Sequence, residues 1–354
     1  MTSNYEPGMR VSEYVLEECV GAGTFGEVWR ARHHIWNDDQ VAVKLPTEPE
    51  YVRYLQREGI VVHGLKQPNI VRVMGLDPFA DIPYLVMELI KGPSLRDVIN
   101  EHSKGLPIKT AITILRGILT GAAVAHENNI LHRDLKPGNV LLNLNGKPLE
   151  DIDVGDVKVS DFGLGAGDQE TFNTIMQSAS IDRESSVVGT LAYMAPELRD
   201  SGSKADPKCD LYSIGVILFE LLTGERPAGA ELPSTLRADS PAALDEIFRS
   251  LYSRHDRRYE SARTVLEDLN KKLAPPSVSA PPPPLPVVDA PSDQTERRSC
   301  PACGHVIEPA DQFCTQCGAQ IASEIRRCPS CGGYPGSNDG FCIFCGAKLT
   351  PSGS

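Results

Sequence analysis

His132-Arg-Asp134-Leu-Lys136-Pro-Gly-Asn139 is the stretch whose reading decides the fold, together with Asp161-Phe-Gly163, which begins 22 residues past Asn139, and Ala195-Pro-Glu197 further on. None carries a meaning alone, so the chain before them has to supply one. Upstream stands Gly21-Ala22-Gly23-Thr24-Phe25-Gly26-Glu-Val28, a G-x-G-x-x-G-x-V loop. Glycines let the backbone approach phosphate oxygens without a Cβ in the way, and they permit positive φ. Dinucleotide-binding folds use the same spacing but require a helix directly after the glycines, whereas Glu27-Val-Trp-Arg-Ala-Arg32 reads as a strand. Eighteen residues past Gly26, Val41-Ala42-Val-Lys44 ends an apolar strand on a lysine. At that distance the lysine can reach the same phosphates, and Glu58 in the following helix is the candidate carboxylate to orient it.

The elements around these motifs fall into two groups. Tyr14 to Cys19 and Glu27 to Arg32 read as strands flanking the glycine turn, and Gln40 to Leu45 as a third. Glu48 to Leu65 reads as a helix, and Val71 to Leu76 with Tyr84 to Glu88 completes a five-stranded sheet. After Ser94, which suits an N-cap, the pattern turns helical. Ile108, Ile112, Leu115, Leu119, Ala122 and His126 recur every three or four residues along one helix face. Asp210 to Leu222 reads as a buried apolar helix. A small β-rich lobe followed by a larger helical lobe is expected.

In their order and spacing the motifs resemble those of the protein kinases, specifically the eukaryotic-like serine/threonine kinases found in bacteria as well as eukaryotes; the resemblance covers residues 14–273. It implies an α+β, bilobal kinase fold and ATP-dependent transfer of the γ-phosphate to Ser/Thr hydroxyls of protein substrates. Such transfer needs mostly positioning and charge neutralisation. By resemblance, Asp161 and Asn139 supply hard oxygen ligands to Mg²⁺ or Mn²⁺ bridging the phosphates. Lys44 holds the α- and β-phosphates while Glu58 holds Lys44. Asp134 accepts the substrate hydroxyl proton, Lys136 neutralises charge at the transferred group, and Thr190 braces both. Val28, Ala42 and Leu141 sandwich the adenine, with Met87 as gatekeeper beside the hinge residues Glu88, Leu89 and Ile90. Glu197 is expected to pair with Arg258, and Asp210 to accept backbone N–H bonds from the catalytic loop. A catalytically weak pseudokinase scaffold is the main rival. Pseudokinases usually lose an equivalent of Lys44, Asp134 or Asp161, and none is missing here.

Two stretches run long. Leu144 to Val157 inserts an acidic loop (Glu150, Asp151, Asp153, Asp156), expected as a solvated hairpin tip. The segment from Asp161 to Glu197 carries Thr171, Thr174, Ser178, Ser180, Ser185, Ser186 and Thr190. Arg133 directly precedes Asp134, and kinases with that arginine often need an activation-segment phosphate to neutralise it. Autophosphorylation within 171–186 is therefore expected, with Ser186 matching the family's primary site.

Eight prolines between Pro275 and Pro291 make residues 274–299 an extended spacer. Behind it, residues 300–350 repeat themselves with a period of 28: Cys300-x-x-Cys303-Gly, nine residues, Cys314-x-x-Cys317-Gly, then Cys328-x-x-Cys331-Gly, nine residues, Cys342-x-x-Cys345-Gly. So short a ribbon cannot bury enough apolar surface to hold itself together. Four thiolates around Zn²⁺ can, and two knuckles ten residues apart make one closed tetrahedral site, structural rather than catalytic. The tail resembles double zinc ribbon modules, with two Zn²⁺. From Glu296 onward basic and acidic side chains balance, giving no basic face for a nucleic acid, so a protein partner or autoregulatory role is preferred over a nucleic-acid-associated one.

The 354 residues, 41% hydrophobic and 23% charged, describe an ordinary globular composition. The net charge of −12 leaves no overall basic surface for nucleic acid or anionic lipid. The longest apolar run, Ile214 to Leu222, still carries Glu220, so no membrane span is expected. Met1-Thr-Ser-Asn-Tyr-Glu lacks the features of an export signal, and paired C-x-x-C suggests metal binding in a reducing compartment. A cytoplasmic location is expected.

Overall fold

Six strands build an antiparallel sheet in the order β1-β2-β3-β4-β6-β5: β1 (Arg10–Val11), β2 (Tyr14–Ala22), β3 (Glu27–His33), β4 (Gln40–Leu45), β5 (Val73–Asp77) and β6 (Tyr84–Glu88). The computed structural model describes residues 5–23, 26–36, 38–162, 191–199, 205–273, 298–307, 313–314, 316–321, 327–333, 335, 340–342 and 345–349. Strand β4 shows how the sequence sets the faces. Successive side chains of a strand point to opposite sides, and Val41, Val43 and Leu45 join Val11, Leu16 and Trp29 in one core. Ala42, between them, belongs to the other core and pairs with Met87 of β6, and Lys44 shares its face.

Strand β1 lies outside the expected five. Two residues are too few for periodicity to register, yet Val11 is buried and the segment is pinned by Tyr5, whose hydroxyl donates to the Pro46 carbonyl at 2.6 Å. The helix expected over Glu48 to Leu65 begins as a 3₁₀ turn, Pro49–Tyr51, and continues as α1, Val52–His63. Proline is tolerated in a first turn, where its missing N–H has no intrahelical partner to lose. Leu55, Glu58, Gly59 and Val62 of α1 are buried, one stripe in which Glu58 is the single charge.

The helical lobe starts with α2, Leu95–Glu101, capped reciprocally by Ser94 and Asp97. Next comes α3, Ile108–Glu127, over the expected span. By length and hydropathy α3 also passes as a membrane span, although 61% of that window is buried inside the unit. The short hairpin β7 (Val140–Leu142) and β8 (Val157–Val159) follows, and then α4, Pro207–Thr223. Helix α4 is buried nearly all round, begins on an Asp206 cap with Pro207 at its first position, and carries Asp210 and Glu220 into the core. Helices α5 (Pro233–Leu236), α6 (Ala242–Leu251) and α7 (Ala262–Lys272) complete the lobe.

The acidic segment between β7 and β8 is a hairpin connection, but not simply a solvated tip. It folds into two 3₁₀ turns, Leu149–Asp151 and Val154–Asp156, and buries Ile152 in the main core. Residues 1–277 form one compact unit and residues 278–354 a second.

Candidate functional site

The loop from His132 to Asn139 is held from beneath by a buried carboxylate. Asp210 accepts the backbone N–H groups of His132 and Arg133, both at 2.8 Å, and lies 2.8 Å from His126 Nε2. Burial alone would raise the Asp210 pKa, but the hydrogen bond from His126 and its neighbouring charges hold it below the ordinary carboxylate range. Arg133 has φ +62°, a left-handed conformation that costs a non-glycine residue about 1–2 kcal/mol, and the Asp210 bond fixes it there. His132 Nε2 lies 2.8 Å from the Ser160 carbonyl, which can only accept. The imidazole therefore carries its proton on Nε2, and its ring packs on Phe162 at 4.7 Å. The loop is thus bonded to Ser160 and packed on Phe162, the residues on either side of Asp161.

Within this frame Lys136 Nζ lies 2.8 Å from Asp134 Oδ2, and Asn139 donates to the Asp134 carbonyl at 2.8 Å. Opposite them Lys44 Nζ sits between two carboxylates, 2.7 Å from Glu58 and 2.5 Å from Asp161. Burial pulls the Lys44 ammonium pKa down, yet the Asp161 and Glu58 charges outweigh it and hold it above the ordinary lysine value. Burial likewise pushes Asp161 up, and Lys44 overrides this to keep it low; Glu58 is raised by burial despite Lys44. Asp161 also has φ +63°. A second strained residue in one site is a hallmark of function rather than of packing.

The cleft consists of two adjoining cavities, about 340 and 390 Å³. The first is polar and brings together Lys44, Glu58, Asp134, Lys136, Asn139 and Asp161 under the glycine loop, where Gly21, Ala22, Gly23, Gly26 and Val28 line it. At Gly26 a Cβ would collide with the Leu45 carbonyl oxygen, so only glycine lets the loop lie so close to β4. The second has an apolar wall of Val28, Ala42, Met87, Leu89, Ile90 and Leu141, and Glu88, Ser94, Asp97 and Asp161 line it as well. Such a cleft suits a flat apolar ring at one end and a phosphate chain with a divalent cation at the other. Thr24, Phe25, Thr190 and the hydroxyls at 171–186 lie outside the described residues.

Sequence reading missed Lys158, His126 and Tyr54. Lys158 forms an ion pair with Glu88, and Tyr54 lines the polar cavity four residues before Glu58. That helical spacing was the available signal for Tyr54. The expected pair Glu197–Arg258 is present at 2.5 Å with the Arg258 side chain fully buried.

The cysteines form two further sites. In each set the Sγ atoms lie within 4.8 Å of one another: Cys300, Cys303, Cys314, Cys317 and Cys328, Cys331, Cys342, Cys345. The sulfur separations Cys303–Cys314 and Cys331–Cys342 are 3.6 Å, and Cys300–Cys317 and Cys328–Cys345 are 3.7 Å. A disulfide needs about 2.05 Å, whereas a tetrahedron with zinc–sulfur arms of about 2.3 Å has edges near 3.8 Å. Four knuckles repeat one pattern. The N–H of Gly304, Gly318, Gly332 and Gly346 donates back to the carbonyl of Cys300, Cys314, Cys328 and Cys342 in turn, at 2.8–2.9 Å. Each of those glycines has φ between +71° and +75°, which is why glycine follows each second cysteine. Backbone N–H groups pull Cys314 and Cys328 down to about 6, while hydrogen bonds among the sulfurs of each set push Cys303 and Cys331 up to about 12.

Glu13, His33 and His34 also cluster. The His33 Nδ1 lone pair accepts from the N–H groups of Ile35 and Trp36, which leaves the proton on Nε2 and no nitrogen for a metal.

Comparison with known proteins follows the same division. The protein kinase domain family matches residues 14–279 and the double zinc ribbon family residues 300–346. Over 247 residues the chain is 34% identical to the serine/threonine-protein kinase PrkC of Bacillus subtilis, covering 67% of this chain and 35% of that protein. Over 288 residues it is 30% identical to the serine/threonine-protein kinase PknB of Mycobacterium tuberculosis, covering 74% of this chain and 43% of that protein. The chain thus spans about two fifths of the length of the curated relatives it matches. The crystal structure of the Mycobacterium tuberculosis PknI kinase domain, solved as a point mutant, shares the fold, with TM-score 0.56 and 22% identity over 76% of this chain and 98% of that one.

Proposed function

The chain belongs to the protein kinase family, and from that premise we propose that it transfers the γ-phosphoryl group of ATP to serine and threonine hydroxyls of proteins. The observation that carries the reading is the convergence of Lys44, Asp134, Asn139 and Asp161, spread over more than a hundred positions of sequence, on one polar cavity. Asn139 and Asp161 would hold Mg²⁺ or Mn²⁺, which supplies charge neutralisation at the phosphates when bound. Lys44, oriented by Glu58, holds the α- and β-phosphates. Asp134 takes the proton of the attacking hydroxyl, and Lys136 beside it offers positive charge to the transferred group. By the family resemblance Thr190 would brace these two, and the glycine loop would cover the phosphates with its backbone N–H groups. Val28, Ala42 and Leu141 hold the adenine ring against the hinge at Glu88 and Leu89, behind Met87.

In the same reading Arg133 calls for a phosphate on the segment 171–186, added by autophosphorylation. Each of the two cysteine sets holds one structural Zn²⁺, and the ribbon docks a protein partner or regulates the enzyme. Residues 274–299 serve as spacer between the domain over 14–273 and the ribbon over 300–350. A cytoplasmic location is part of this reading, because thiolate ligands need a reducing compartment.

The test is phosphate transfer from labelled ATP to a generic protein substrate by the intact chain and by Asp161→Asn, followed by mass spectrometry of residues 171–186. Transfer by the first and not the second supports the reading. No transfer by the intact chain, with either Mg²⁺ or Mn²⁺, leaves a nucleotide-binding scaffold.

A further inference from the structure

The pair Lys44–Asp161 is not alone in joining the two lobes. At the back of the cleft Glu88, the last residue of β6, lies 3.2 Å from Lys158 of β8. The same Glu88 oxygen accepts the backbone N–H of Arg72 at 2.8 Å, and the Glu88 N–H donates to the Arg72 carbonyl at 3.0 Å. One carboxylate therefore ties together the start of the hinge, the segment entering β5, and the hairpin strand leading to Asp161. Both side chains are largely covered, Lys158 at 11% exposure and Glu88 at 24%. Lys158 stands opposite Leu141 in the β7–β8 register, and Leu141 lines the apolar cavity.

The two pairs differ in what nucleotide binding asks of them. Lys44 and Asp161 project into the polar cavity and must part to meet phosphates and cation. Lys158 lines neither cavity, whereas its partner Glu88 lines the second. The rear pair can thus persist while the front pair opens.

We propose that Lys158 is a positioning residue for nucleotide binding: by holding the Glu88 carboxylate, it keeps the hinge in register with the β7–β8 hairpin so that the apolar end of the cleft is preformed. The inference rests on the kinase reading above. A preformed site loses less freedom on binding, so its loss is felt in affinity rather than in the chemical step.

The experiment uses the full chain, with ATP and Mg²⁺ in steady-state assays and a fluorescent ATP analogue in equilibrium titration. For Lys158→Met, which keeps the length of the side chain, Kd and KM for nucleotide rise about fivefold while kcat stays within about twofold, the size expected for one partly buried pair. Lys158→Arg restores both constants. Glu88→Gln combined with Lys158→Met is no weaker than the worse single variant, because the two act through one contact. Wild-type nucleotide affinity in Lys158→Met overturns the proposal. So does a fall in kcat with KM unchanged, or a large loss of thermal stability in the absence of nucleotide, which would make the role purely structural. Failure of the wild-type chain to bind nucleotide at all removes the kinase reading, and this proposal with it.

Discussion

The two units of this chain are held together by different physics. Residues 1–277 are built on cores of dozens of buried apolar side chains, in which α4 is covered nearly all round. The ribbon offers Cys300, Ile307 and Cys314 with Ala319 and Ile321 in one half, and Cys328, Cys342 and Leu349 with Ala347 in the other. Its cysteines are at once the candidate metal ligands and much of the core. Where a fold has an apolar core to spare, it can place charges such as Lys44, Glu58 and Asp210 inside for chemistry. Where it has none, the chemistry is the fold.

The sharpest way to break the comparison is to remove the metal. Structural zinc contributes on the order of 10–16 kcal/mol in small zinc peptides. Chelation, or Cys314→Ser, should therefore unfold its half of the ribbon and expose the amides of residues 298–307 to hydrogen exchange. Exchange in α3 and α4 of the same protein should not change. Loss of protection in those helices would show that the first unit depends on the ribbon.

The converse substitution is Lys44→Met. It should cut phosphate transfer by about 10²–10³-fold, the usual cost of one preorganised electrostatic contact, while zinc stays at about two per chain. Retained transfer would show that Lys44 is a structural cation only. Arg258→Ala comes next, since its guanidinium side chain is fully buried against Glu197. Breaking such a pair leaves an uncompensated charge and costs about 3–5 kcal/mol, to be read as a lower melting temperature of the first unit with the zinc content unaltered.

Acid should separate the units more gently. Asp161, Glu197 and Asp210 are all held below their ordinary pKa, by Lys44, Arg258 and His126 respectively, against the opposing effect of burial. A depressed carboxylate stabilises the fold above its unfolded pKa, about 4, and that stability is lost as pH falls through the lower folded value. Thiolate ligands protonate and release metal at higher pH than that. On acidification zinc should leave before the first unit melts, followed by a metal indicator and by circular dichroism in one titration. Coincident transitions would contradict the distinction.

Legibility in the sequence follows the same physics. Long periodic elements announced themselves: the three-and-four spacing from Ile108 to His126 gave α3, and the alternation around Lys44 gave β4. The two residues of β1 are too few to show a period, and the 3₁₀ turns of the acidic segment hide the burial of Ile152 inside a run of carboxylates. Site residues with a motif were legible, because glycine spacing, a strand-end lysine and paired cysteines each have a chemical reason. Lys158 had none. In Val157-Lys-Val159 it reads as the solvated face of a strand, and only the fold brings Glu88, 70 residues away, within reach.

The most direct measurement is single-turnover transfer of the γ-phosphate by the full chain and by Asp134→Asn, with ATP affinity measured in parallel. The variant is predicted to bind ATP as the wild type does and to transfer phosphate at least about a hundredfold more slowly, the contribution of a positioned base. Equal rates in the two proteins would contradict this, because the cleft would then lack the one carboxylate on which the reaction is said to depend.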